Sequence, residues 1–178
     1  MFYLKNNIFD ENQRMESKII FNTDDKSATI YIMKVFQNDV SVVWDHFTKA
    51  ELLDLWWAPQ PYQCETLNME FKPEGFWNYA MIGPENEKNY SAVQFHEINY
   101  HRSFDYSAFF TDEKGNRNPQ FAPSNWLIGF TGVQEGTKLT INIHFSSTDE
   151  MQKLLSMGFE DGLKMTLNQL EDLLNQKD

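Results

Sequence analysis

The sequence predicts an α+β fold in which a curved antiparallel sheet wraps around a long C-terminal helix, with two short helices after the first strand. Three observations predict it. Runs that alternate apolar and polar residues fill most of 62–145, while helical spacing occurs only at 40–56 and 147–174. A sheet with one polar face must cover its apolar face, and the C-terminal helix is the one long element available to cover it.

Composition indicates one globular domain over 16–178, after a polar extension over 1–15. The 178 residues are 41% hydrophobic and 23% charged, which is ordinary for a globular protein. Aromatic residues are unusually frequent at 15%. Such rings either fill a large core or line a cavity, and composition alone does not separate the two.

The charge balance and the single cysteine exclude several classes of protein. The 26 acidic and 15 basic residues give a net charge of −11 with no basic run, so we expect no nucleic-acid partner. Cys64 has no partner for an intramolecular disulfide, which suits a reducing compartment. The sequence shows no apolar run of membrane-spanning length and no signal-peptide pattern, so a cytoplasmic location is expected.

The first third of the chain predicts a strand pair followed by the two short helices. Segment 19–36 alternates around an Asp-Asp-Lys turn, which predicts strand, turn, strand. Apolar residues at helical spacing predict a short helix over 40–47. Thr48 and Glu51 form the T-x-x-E pattern of a capping box, so the second helix is expected to begin at Thr48 and to end before Pro59.

The middle of the chain predicts a run of antiparallel strands. In the last of them, Leu139, Ile141 and Ile143 alternate with polar residues, so one face is buried and the other faces water. The loop over 111–125 either covers the mouth of a cavity or is a plain surface loop. The predicted strands are 64–71, 75–82, 90–98, 102–110, 126–131 and 138–145.

The last helix is expected to run from Ser147, where S-T-D-E makes another capping box, to about Leu174. It contains Gly158 and Gly162, and each glycine costs roughly 1 kcal/mol relative to alanine inside a helix. Either the backbone there packs closely on aromatic side chains of the sheet, or the missing side chains leave a cavity under the helix. At 100° per residue both glycines fall on one face with Met151, Leu155, Met165, Thr166, Gln169 and Leu173, opposite Lys153, Glu160, Lys164, Asn168 and Glu171.

Five segments, in order and with suitable spacing, resemble bacterial proteins related to the activator of the Hsp90 ATPase, within the START or Bet v 1-like superfamily. The segments are VWDHFTKAELLDLWWAP, KPEGFWNYAMIGP, AFFTDEKGN, GTKLTINIHF and MGFEDGLKMTLNQLEDLL. The resemblance implies a helix-grip fold around an apolar cavity. That superfamily includes carriers, sensors, cyclases and co-chaperone domains, so the resemblance implies architecture more than activity.

Candidate ligand-contacting residues follow from strand alternation, from positions that are inward in the family, and from the glycine-containing helix. For each aromatic member, the alternative is that it simply fills the core. The candidates are Trp77, Tyr79, Met81, Phe95, Tyr106, Trp126 and Phe130 on the strands and Met157, Gly158, Phe159 and Gly162 on the last helix.

The four histidines have no metal-ligand spacing, and no nucleophile or phosphate-binding motif occurs, so we expect no metal, no cofactor and no catalytic residue. The leading hypothesis is non-catalytic binding of an apolar or amphipathic, lipid-like small molecule between the sheet and the C-terminal helix. One alternative is a co-chaperone-like module that regulates an Hsp90-type ATPase in a stress response. Another is a cyclase- or hydrolase-like enzyme that uses Tyr79 or His96. We expect a monomer or a homodimer.

Overall fold

A computed structural model describes residues 18–176, so the predicted extension over 1–15 lies outside the described residues. Within that range the chain forms eight strands and four helices. The strands are β1 (Ile20–Asp24), β2 (Thr29–Phe36), β3 (Gln63–Met69), β4 (Phe76–Ile82), β5 (Lys88–Asn99), β6 (Ser103–Thr111), β7 (Ser124–Val133) and β8 (Gly136–His144). The helices are α1 (Val40–Thr48), α2 (Ala50–Leu53), α3 (Thr148–Ser156) and α4 (Phe159–Leu174).

All eight strands form one curved antiparallel sheet in the order β1-β2-β8-β7-β6-β5-β4-β3. The last strand inserts beside β2, so the β1–β2 hairpin and the β3–β7 meander become a single sheet. Helices α1, α3 and α4 pack their apolar residues into the same core cluster as the inward side chains of the sheet. The predicted α+β fold is confirmed.

Strand alternation sets which side chains enter the core. Leu139, Ile141 and Ile143 of β8 are fully buried, as predicted, and pair in register with β2. Lys34 also lies in the inward row of β2 and is fully buried. Its Nζ lies 2.9 Å from Glu171 Oε2 of α4, which makes a lysine tolerable in an apolar row.

The first of the two predicted capping boxes is wrong. The Thr48 hydroxyl donates to the Trp44 carbonyl oxygen at 2.9 Å, because Thr48 is still the last residue of α1. Helix α2 begins at Ala50, and the side chain of the preceding residue, Lys49, does not cap it. The second box is half formed, since Ser147 Oγ accepts from the Glu150 N–H at 3.2 Å while the Glu150 carboxylate bonds elsewhere.

The prediction of one C-terminal helix is also wrong, because Gly158 separates α3 from α4. Gly158 has φ +85°, a left-handed conformation that ends α3, and its N–H donates to the Leu155 carbonyl oxygen at 3.1 Å. Because of the break, α4 faces the sheet with a different side than one continuous helix would. Met165, predicted inward, is 44% exposed, and Glu171, predicted outward, turns toward Lys34. The buried face of α4 is Leu163, Thr166, Leu167 and Leu170.

Candidate functional site

A cavity of about 300 Å³ lies between the sheet and the junction of α3 and α4. Its walls come from β4 to β7, from the segment before β3 and from both C-terminal helices, and most lining side chains are apolar. It reaches the surface beside Met157, which is 58% exposed. Seven of the eleven predicted contact residues line it: Tyr79, Met81, Trp126, Met157, Gly158, Phe159 and Gly162.

The other four predicted residues, Trp77, Phe95, Tyr106 and Phe130, lie in the solid part of the core and do not line the cavity. Trp77 stacks on Tyr79 with ring centroids 4.1 Å apart, so it supports the cavity wall from behind. Phe130 packs on Trp44 at 5.1 Å, on the α1 side of the core. For these four, the structure supports the core-filling alternative.

Sequence reasoning did not identify Trp57 and Pro59 as lining residues. Their segment is fastened to α4 by the Gln169 side chain. The Gln169 amide nitrogen donates to the carbonyl oxygens of Trp56 at 3.0 Å and Ala58 at 2.8 Å, and its oxygen accepts from the Gln60 N–H at 2.8 Å. These three hydrogen bonds hold the Trp57 ring over the cavity. The sequence offered only weak signs of this contact: the segment Trp-Trp-Ala-Pro and, on the last helix, the polar Gln169 that bonds to it.

Strand alternation could have found further lining residues. Ala108 continues the inward row of Tyr106 on β6, and Ser91 continues the inward row of Phe95 on β5. Ser91 also pairs directly with Tyr79 of β4. These positions were missed because alternation identifies the inward face of a strand but not which end of it lies beneath the helix break.

The loop between β6 and β7 contributes to the mouth of the cavity through Phe121 and Ala122, so the first of the two alternatives for this loop applies. Two hydrogen bonds and one ring contact tie it to α3. The Ala122 N–H donates to Glu150 Oε2 at 3.1 Å, and the Lys153 ammonium donates to the Gln120 carbonyl oxygen. Lys153 Nζ also lies 4.2 Å from the Phe121 ring centroid. The loop is therefore held against the helix by both backbone and ring contacts.

The Tyr79 hydroxyl is an uncharged polar group within the apolar wall of the cavity. Burial raises the pKa of Tyr79 to about 12, and the neighbouring Trp57 and Ser91 groups offset this only in part. The Trp57 Nε1 atom is fully buried and makes no hydrogen bond of standard geometry to a described residue, although its N–H lies close enough to the Tyr79 hydroxyl to lower the pKa of that group. By contrast, Trp126 Nε1 donates to Ser124 Oγ at 2.9 Å. At neutral pH the Tyr79 hydroxyl remains protonated.

Of the two residues considered for catalysis, Tyr79 lines the cavity and His96 lies away from it. His96 Nε2 is 2.8 Å from Ser107 Oγ, and that hydroxyl donates to Asn125 Oδ1 at 2.8 Å, on the outer face of the sheet and away from the cavity lining. Burial raises the pKa of the Cys64 thiol, so it remains protonated. Within residues 18–176 no three His, Cys, Asp or Glu side chains are grouped to hold a metal ion. No helix in that range has the length and apolar character needed to cross a membrane.

Comparisons with known proteins agree with this architecture. Residues 38–175 match the family described as "Activator of Hsp90 ATPase homolog 1-like protein". Protein Ms6760 from Mycobacterium smegmatis is 25% identical with a TM-score of 0.84, and the match covers 90% of this chain and 99% of that one. A protein from Staphylococcus epidermidis is 27% identical with a TM-score of 0.77, over 88% of this chain and 95% of its own.

A protein from Arthrobacter aurescens is 25% identical with a TM-score of 0.84, over 89% of this chain and 92% of its own. A comparison with curated proteins gave no match. The family match spans more than half of the sequence, and the solved structures share its fold over almost their whole length. The chain therefore belongs to the family of Activator of Hsp90 ATPase homolog 1-like proteins.

Proposed function

We propose that this protein binds an apolar or amphipathic small molecule, without catalysis, in the cavity between the sheet and the α3–α4 junction. The observation that carries the proposal is the cavity itself, with a volume of about 300 Å³ and mostly apolar walls. Ligand pockets in proteins begin at about this volume and share this mixture of apolar lining and few polar groups. An apolar cavity of roughly 150 Å³ already admits benzene, so this one accommodates a two-ring molecule or a short chain.

The surroundings of the cavity support the proposal, since small residues are placed where larger ones would close it. Gly162 lies in the first turn of α4, and a Cβ atom built there would have Pro59 Cγ as its nearest neighbour at 3.8 Å. That distance is an ordinary contact, so the backbone does not need a glycine to avoid a clash. Ser91 and Ala108 are the corresponding short side chains on the sheet side.

Native mass spectrometry of the protein purified without detergent tests the proposal directly. We expect a reproducible adduct of a few hundred daltons that denaturing extraction releases and identifies. Purified protein that has lost its ligand should also bind added apolar probes with a stoichiometry of one. A protein that carries no adduct and binds none of a panel of apolar probes would contradict the proposal.

A matched pair of substitutions at Gly162 tests whether the cavity is the binding site. Gly162→Leu places four carbons into the cavity and should weaken probe binding at least tenfold while unfolding free energy stays equal or rises. Gly162→Ala is the control, because its single carbon makes only an ordinary contact with Pro59 and should leave binding within about twofold. Destabilisation of the leucine variant by about 1–3 kcal/mol, as overpacking causes, would show instead that the core is solid there.

The family description favours a second candidate function, regulation of an Hsp90-type chaperone ATPase. An assay of the ATPase of the Hsp90 homologue from the same organism separates the two candidates. Stimulation that saturates with this protein would support the co-chaperone function. No change in the ATPase rate at saturating protein would reject it and leave ligand binding. For both candidates we propose a cytoplasmic location.

A further inference from the structure

The wall of the cavity carries one charged side chain, Glu150 of α3. The other described residues that line it are apolar or bear uncharged polar groups, and none of them is a lysine, an arginine or a histidine. Glu150 is partly exposed and lies at the mouth, where its Oε2 atom accepts from the Ala122 N–H at 3.1 Å. A molecule that enters the cavity therefore meets a carboxylate and no protein cation on the lining surface.

The Glu150 carboxylate retains the capacity to accept from a further donor. A carboxylate has roughly four acceptor positions, and within 18–176 the Glu150 side chain accepts the one hydrogen bond from Ala122 and forms no ion pair. Lys153 lies on the same helix but its ammonium donates to the Gln120 carbonyl oxygen and lies 4.2 Å from the Phe121 ring centroid. An ammonium group of a bound molecule can therefore pair with Glu150 without displacing a contact within the protein.

The charges around the cavity favour a cationic ligand over an anionic one. Arg117 and Lys153 lie over the Phe109 and Phe121 rings and do not line the cavity themselves. A carboxylate placed inside would lose hydration without gaining a cationic partner on the lining, and Glu150 and the net charge of −11 add repulsion. An ammonium group at the mouth keeps part of its hydration and gains Glu150 as its counter-charge.

From these contacts we infer that the cavity prefers an amphipathic molecule with an apolar body and a protonated amine, and that Glu150 selects the amine. The apolar body lies against the aromatic walls, and the ammonium group lies at the mouth beside the carboxylate. The inference rests on the proposed function and narrows its ligand class. It excludes ionised fatty acids as preferred ligands, even though their chains would suit the apolar walls. Glu150 is then the residue that determines which ligand charge the site accepts.

Three two-ring probes of nearly equal size test the inference by calorimetric titration at about pH 7.5 and low salt. They are 2-aminotetralin, which is protonated at that pH, 2-tetralol, which is neutral, and tetralin-2-carboxylate, which is ionised. We expect 2-aminotetralin to bind roughly two- to fivefold more tightly than 2-tetralol, as a partly exposed ion pair provides. We expect the carboxylate to bind on the order of tenfold more weakly than 2-aminotetralin, or not measurably. The amine and the alcohol should displace each other, because both occupy the cavity and not the acidic surface.

The substitution Glu150→Gln removes the charge and keeps an oxygen atom that can accept from the Ala122 N–H. It should abolish the preference for the amine over the alcohol. Asp149→Asn is the matched control, because it changes the net charge equally at a neighbouring residue that is exposed and does not line the cavity. That variant should keep the preference. If Glu150→Gln does not fold, the carboxyl carbon resonance of Glu150 in the unmodified protein serves instead, and 2-aminotetralin should shift it further than 2-tetralol does.

The outcomes separate failure of this inference from failure of the proposed function. Binding of none of the three probes would reject both. Equal affinity for the amine and the alcohol, or tighter binding of the carboxylate than of the amine, would reject selection for a cation while cavity binding stands. An unchanged preference in Glu150→Gln, an equal loss of it in Asp149→Asn, or an unmoved Glu150 resonance would reject the role of Glu150. Binding of the amine that 2-tetralol does not displace would assign it to the surface and also reject the inference.

Discussion

The two glycines at the start of α4 should respond in opposite directions to alanine, although they are four residues apart. Gly158 has φ +85°, and a Cβ atom built there meets nothing within 4 Å. The penalty for Gly158→Ala is therefore conformational, and an L-residue in the left-handed region costs about 1–2 kcal/mol. We expect the unfolding free energy to fall by that amount.

Gly162 lies within the helix and has no unusual backbone angle. An added Cβ makes one ordinary contact, with Pro59 Cγ at 3.8 Å. Alanine is favoured over glycine inside a helix by about 1 kcal/mol, partly because the unfolded chain has fewer conformations to lose. Gly162→Ala should therefore raise the unfolding free energy by about 1 kcal/mol, which separates the two variants by about 2–3 kcal/mol.

Urea denaturation and thermal melting both measure this difference. For a domain of this length, 1 kcal/mol corresponds to roughly 2–4 °C in Tm, so the two variants should melt on opposite sides of the unmodified protein. Gly115→Ala is a control, because Gly115 also has a positive φ, +82°, with no atom near its Cβ, but lies in a loop. Equal destabilisation at positions 158 and 162, or no loss at 158, would refute the assignment of Gly158 as a break between two helices.

Two further predictions concern buried ionisable groups. Glu171→Ala removes the carboxylate that lies 2.9 Å from the fully buried Lys34 ammonium, which keeps the contact with Asn168 Oδ1 at 3.4 Å, and it should cost about 1.5–3 kcal/mol. Lys34→Met with Glu171→Leu should recover most of that loss. Urea denaturation of the single and double variants measures both effects, and a single-variant loss below about 1 kcal/mol would contradict the role of the pair. Burial raises the pKa of Tyr79 from 10.0 to about 12, so the unfolded phenol ionises first: stability is full below pH 10 and falls by roughly 2–3 kcal/mol as the pH rises to about 12. Urea denaturation at about pH 9 and 11 should show about half of this fall, roughly 1.3 kcal/mol, because the folded phenol is still mostly protonated at pH 11. Tyr79→Phe should reduce the fall, and an equal fall in that variant would assign the effect to other groups.

The order of the strands and the inward face of several of them could be predicted from local patterns. In β8, Leu139, Ile141 and Ile143 alternate with polar residues, and all three are fully buried. A period of two is a property of the chain itself, since successive side chains of a strand point to opposite faces. The Met81 and Trp126 positions were found in the same way, and both line the cavity.

The C-terminal helix shows where local patterns become insufficient. Glycine is compatible with both a helical and a left-handed backbone, so the sequence alone did not distinguish a tolerated Gly158 from a break. The break in turn rotated the predicted apolar face, and Met165 became exposed while Glu171 approached Lys34. The error at Gly158 therefore changed the orientation of Met165 and Glu171, whereas Gly162 and Thr166 still face inward as predicted.

By itself, the sequence determined the α+β class, the inward rows of the sheet and the family, because each depends on periodicity or on short segments read in order. Tertiary structure alone decided which inward aromatic residues line a cavity and which, such as Phe95 and Phe130, fill the core. It also decided that the Trp57 ring, fastened through Gln169 of a distant helix, lines that cavity. Such contacts join residues more than a hundred positions apart, and their geometry depends on how the sheet and helices pack, which no local pattern specifies.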